Sequence, residues 1–171
     1  MNPKELTKSQ ILDHQVSLLI QSTPDQETAS AVSLITSVLK AIAQKLKHTT
    51  YFVIQDLDAG WLITPLSNRD NPELEKTTIY AYCDLTPANI DRLKLNDPDL
   101  ECGEYNVIEM LFRLMGMKQV DSIVFFDRAT DTQRGVEIVR NDIEELCEKQ
   151  IKRAQFSLQK LIEVKNNSDI A

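Results

Sequence analysis

The sequence predicts an α+β fold in which an antiparallel sheet, a three-stranded meander plus a hairpin, packs with N-terminal, central and C-terminal helices. Three observations lead there. Apolar residues recur at spacings of three and four near both ends and in the middle of the chain. Short β-branched and aromatic runs bounded by turn formers lie between those segments. The 171 residues, 42% of them hydrophobic, suffice for one core, and no Pro/Gly/Ser linker divides them. Residues 1–165 are therefore expected to form a single domain, with 166–171 as a polar disordered tail.

Leu12, Val16, Leu19 and Ile20 predict an amphipathic helix over residues 5–21, broken by Ser22 and Thr23. Thr23, Pro24 and Gln26 have capping-box spacing with proline at the first helical position, so a second helix is expected over 24–47. Its apolar set, Val32, Ile35, Leu39, Ile42 and Leu46, forms one stripe. The period then changes. Tyr51–Ile54 reads as a strand, 56–60 as a turn, Trp61–Thr64 as the returning strand, and Thr77–Cys83 as a third strand after a polar surface loop over 67–76. Thr86-Pro87 opens a short helix ending near Leu95, with Leu85 and Ile90 placed as a hydrophobic staple. Residues 96–103 read as a polar connector. The central helix, 105–115, carries Val107, Ile108, Leu111, Phe112 and Met115, and Gly116 ends it. Val120–Phe126 and Gly135–Val139 form the hairpin around a turn at 127–132. Asn141 and Glu144 suit the cap of a last helix, whose stripe is Ile143, Cys147, Ile151, Ala154, Leu158 and Leu161.

Composition narrows the function classes. A formal net charge of −7 argues against a broad phosphate-binding surface, so no nucleic acid is expected. No stretch approaches the roughly 20 apolar residues of a membrane span, and the first 15 residues lack a signal-peptide pattern; no membrane and a cytoplasmic location are the expectation. Cys83, Cys102 and Cys147 are far apart with no Cys-x-x-Cys spacing, which suggests neither a disulfide framework nor a zinc site.

The segment Ile108–Arg113, leading to Ser122–Asp127 and then to the glycine-acid-isoleucine-x-arginine run in Gly135–Ile143, resembles the YbjN-like proteins and the related chaperones of type III secretion. The resemblance covers roughly residues 28–163 and departs from the family in an extra N-terminal helix and in the 86–104 segment. It implies a homodimer that binds segments of other proteins without a cofactor or an active site.

Chemistry-bearing residues are sparse. Gly60, Gly103, Gly116 and Gly135 are too scattered for a phosphate-cradling loop. His14 and His48 lie in different elements and read as helix-surface or helix-end residues. Asp97, Asp99, Glu101 and Glu104 offer hard oxygen ligands over 97–104 but lack the glycine and the final carboxylate of a calcium loop. No metal and no cofactor are expected. Trp61, at a strand start, suits either a core anchor or a binding contact. The leading expectation is a non-enzymatic protein-binding module, a chaperone-like or regulatory adaptor, meeting itself or another protein through Val32, Ile35, Leu39, Ile42, Trp61, Leu111, Phe112 and Met115. The alternative is a small-molecule or metal-dependent ligand-binding or hydrolytic domain using Asp56, Asp58 and Asp127.

Overall fold

The computed structural model describes residues 5–67, 71, 73 and 75–168; half of the loop expected over 67–76, and residues 169–171 of the expected tail, lie outside them. The elements run α1 (Lys8–Gln21), α2 (Gln26–Lys45), β1 (Thr50–Asp56), β2 (Thr64–Ser67), β3 (Glu75–Tyr82), α3 (Leu85–Lys94), β4 (Leu100–Asn106), α4 (Val107–Gly116), β5 (Ser122–Phe126), β6 (Val136–Val139) and α5 (Arg140–Ser168).

The sheet is mixed and six-stranded, in the order β4-β1-β3-β5-β6, with β2 paired to β3 off this path. That corrects the expected meander. β1 does not pair with β2 as a hairpin; it pairs with β3 at Phe52↔Tyr82 and Val53↔Ala81, and meets the segment just after its turn at the Gln55–Trp61 bridge, where Leu62 N donates to Ile54 O at 2.8 Å and Asp56 N to Gly60 O at 2.9 Å. β2 starts at Thr64, where the expected return strand ended, and pairs with the first half of β3. The second half of the expected connector 96–103 belongs to β4, which runs antiparallel to β1 from Thr50↔Asn106 to Asp56↔Leu100. β5 lies parallel to β3 and antiparallel to β6.

Strand alternation sends neighbouring residues to opposite faces. Tyr51, Val53, Ile79, Ala81, Ile123 and Phe125 join Leu12, Leu39, Ile108, Leu111 and Ile143 in the main core, which α1, α2, α4 and α5 cover. The other face holds Ile54, Tyr82 and Phe126 against Ala88 of α3, with Phe52, Tyr80 and Val124 only partly buried. Four helices cover one face and a single short one covers the other.

Local capping explains several boundaries. Thr7 and Gln10 form a capping box for α1. α2 is capped by Asp25, whose carboxylate accepts from Thr28 N at 2.7 Å, so the helix begins two residues later than Thr23 and Pro24 suggested. Lys8 donates to the carbonyls of Gln44, at 2.9 Å, and of Leu46, answering free carbonyls at the C-terminal end of α2. α4 has no side-chain cap at Asn106; its Ile108 N–H donates instead to the buried Gln15 Oε1 at 3.3 Å, while Gln15 Nε2 donates to Thr49 O at 2.8 Å. One glutamine thus ties α1 to two other elements. In α5, helix begins at Arg140, and Glu144 accepts from Lys118 and Arg140 rather than closing a cap at Asn141. The helix continues through Ser168.

Candidate functional site

The α2 stripe faces inward. Val32, Ile35, Leu39 and Ile42 are buried, as is Leu111 of α4, while Phe112 and Met115 are half-buried against the same core. α2, α4 and α5 pack together over the sheet, so the apolar surface that the sequence offered to a partner is largely occupied by the chain's own helices. Phe112 retains an outward side. It lines a groove of about 430 Å³ between α1 and α4 with Leu18, Leu19, Asn106 and Glu109.

Trp61 is a core anchor on the helix-covered face, 7% exposed. Asp56 positions it. The Asp56 carboxylate accepts from Asp58 N at 2.9 Å and Gly60 N at 2.7 Å, and Ala59 adopts φ 61° to complete the tight turn that delivers the indole. Trp61 meets Tyr105 of β4 edge-to-face at 5.0 Å, and the guanidinium carbon of Arg113 sits 4.8 Å from the indole centroid.

The carboxylates of the alternative reading are not brought together. Asp127 Oδ1 accepts from Tyr51 OH at 2.5 Å, and His48 Nε2 donates to the Asp127 carbonyl at 3.0 Å. Burial, reinforced by that carboxylate, pushes the Tyr51 hydroxyl well above its ordinary pKa. Tyr51 is the second residue of β1 and Asp56 its last, so the two aspartates lie at opposite ends of a strand segment roughly 17 Å long. In the acidic segment, Asp97 accepts from Asp99 N at 3.0 Å, and Glu101 accepts from Gln55 Nε2 at 2.9 Å. Among the described residues, no group of three or more His, Cys, Asp and Glu side chains could hold a metal ion.

Among the described residues, three further surfaces are open to solvent. On the thinly covered sheet face, Tyr80, Tyr82, Val124 and Phe126 floor a cavity of about 430 Å³ walled by Leu66, Asp91, Gln133 and Glu137. There Tyr82 OH donates to Asp91 Oδ2 at 2.9 Å, and burial pushes that hydroxyl upward in pKa. On α3, Ile90 and Leu93 are exposed. The third surface is the outer part of α5. Its stripe is buried at Ile143 and Cys147 and half-buried at Ile151 and Ala154, and beyond them Phe156, Leu158, Leu161 and Ile162 stand 58–62% exposed. The periodicity of that stripe was readable in the sequence. The point at which the body of the protein ends beneath it was not, because that depends on the tertiary position of α5. Among the described residues no helix is long and apolar enough to cross a membrane. Compared with protein-family models and with curated proteins, the chain matches none.

Proposed function

We propose that this protein is a non-enzymatic protein-binding module, a chaperone-like or regulatory adaptor, and that the outer part of α5 docks against a second copy of the chain. The observation that carries the reading is the exposed apolar set Phe156, Leu158, Leu161 and Ile162 on a helix of 29 residues, about 43 Å long, whose first half packs on the main core through Ile143 and Cys147. An isolated helical arm gains little from propensity; packing of its apolar face supplies most of its stability.

Charge selects the occupant. Residues 152–168 carry Lys152, Arg153, Lys160 and Lys165 against Glu163, a net +3, which leaves −10 on the remainder of a chain totalling −7. A basic, apolar arm on an acidic body favours an arm-to-body contact between copies, and two-fold symmetry repeats that contact. The order α2–β1–β2–β3–α4–β5–β6–α5, interrupted by α3 and β4, keeps the YbjN-like resemblance within the same proposal.

Light scattering coupled to size-exclusion chromatography tests it. Twice the chain mass is expected for the natural protein, and a Leu158→Asp/Leu161→Asp variant with unchanged circular dichroism is expected to run at the single-chain mass. A natural protein that stays monomeric at tens of micromolar overturns the dimer.

A further inference from the structure

Arg113 lies over two aromatic rings, 4.8 Å from the Trp61 centroid and 5.2 Å from that of Tyr105. The polar groups behind this stack are satisfied. Tyr105 OH donates to Gln55 Oε1 at 2.5 Å, and Gln55 in turn donates to Glu101. Two donors in the stack are not: Trp61 Nε1 and Arg113 Nη1 are both buried and have no hydrogen-bond partner among the described residues. Glu109, one turn earlier on α4, places Oε1 3.8 Å from Arg113 Nη1, within ion-pair range and beyond hydrogen-bond reach. Leaving a buried donor unsatisfied costs about 1–3 kcal/mol, so each such group is a demand for an acceptor.

Both residues line one cavity of about 280 Å³, together with Ala59, Gly60 and Met117. None of those five side chains is an acceptor stronger than the Met117 thioether. An indole N–H and a guanidinium only donate, and the guanidinium adds a fixed positive charge and a planar fork. The complementary group is therefore acceptor-only, anionic and planar. The wall beside it is small and apolar, and a Cβ at position 60 would come within 2.6 Å of the Asp56 carboxylate, so the turn stays bare at that point.

We infer that the cavity between the 59–61 turn and α4 binds a carboxylate, held by Arg113 and Trp61, with a short apolar substituent against Met117. A free monocarboxylic acid and the C-terminus of a polypeptide present the same chemistry. This site is independent of the α5 arm.

Trp61 is the only tryptophan in the sequence, so its emission reports on the site directly. The test titrates the full chain with benzoate and, separately, with N-acetyl-dialanine bearing a free or an amidated C-terminus, all at ionic strength fixed with sodium chloride. A saturable change is expected with benzoate if free acids are the ligands, and with the free-terminus dipeptide but not its amide if chain termini are. Arg113→Gln, checked for folding by circular dichroism, is expected to weaken binding at least about tenfold, and Arg113→Lys by less. Glu109→Gln removes the neighbouring acid and is expected to tighten binding severalfold, which a merely structural arginine would not produce. Emission that does not saturate with either probe, or saturation that survives Arg113→Gln unchanged, overturns the site.

Discussion

Along α5, Ile143 and Cys147 are buried in the main core, with Cys147 Sγ 3.8 Å from Met115 Sδ, whereas Leu158 and Leu161 continue the same stripe into the open. The anchored half is also clamped at its start: Arg140 Nε donates to Val120 O at 2.9 Å, and Glu144 accepts from Lys118 at 2.7 Å and from Arg140 at 3.0 Å. The outer half instead presents Phe156, Leu158, Leu161 and Ile162 at 58–62% exposure. One apolar stripe therefore runs from the core onto open surface, and its hydrophobic period alone does not say where the change falls.

Substitutions can break that contrast or sharpen it. Ile143→Ala should have the largest effect, lowering stability by about 2–5 kcal/mol in urea denaturation, because it opens a cavity beneath the anchored half. If it costs no more than a surface change, the anchor is misplaced. Replacing Gln15 by Leu should cost roughly 1–3 kcal/mol, since Thr49 O and Ile108 N–H both lose their side-chain partner in a buried site.

A smaller effect is expected on the acid side. Hydrogen bonding to Lys118, with Arg140 adding to it, holds the Glu144 carboxyl below its ordinary range. Its folded pKa is depressed, so its contribution is present at neutral pH and is lost as pH falls through that lowered value. Glu144→Gln should flatten this acid limb of a stability–pH curve; an unaltered limb would show that the clamp contributes nothing. Smallest of all, Leu158→Ala should change single-chain stability by no more than about 0.5 kcal/mol, as a surface substitution does. A loss comparable to that of Ile143→Ala would place Leu158 in the core and remove the contrast altogether.

Much of the helical layer was legible because its stripes are local: α1, α2, α4 and α5 each start within a few residues of where spacing and caps put them. β4 was not. Asp97, Pro98, Asp99 and Gly103 resemble a connector, yet Leu100–Asn106 pairs with β1 along its whole length. Gly103 has its reason in that pairing, for a Cβ there would meet the side-chain amide of Gln55, 52 to 56 being remote in sequence from 100 to 106. The parallel match of β3 with β5 escaped for a similar reason, since period-two alternation is the same in either direction. Site residues fared similarly. Trp61 was picked out by its residue type, but the relation of Arg113 to it depends on α4 lying beside the 59–61 turn, and no local pattern encodes that.

Because β1 skips its neighbour and pairs with β3 and β4, the sheet has few short-range strand contacts. β2–β3 and β5–β6 can zip locally, while Thr78↔Ser122 joins strands separated by two helices and a strand, and Thr50↔Asn106 joins strands separated by two strands and a helix. Closing such loops costs chain entropy before the contacts repay it, which slows folding. The two local pairs should therefore gain amide protection early in a pulse-labelling experiment, and β1 should gain it late, together with the strand that flanks it on the edge.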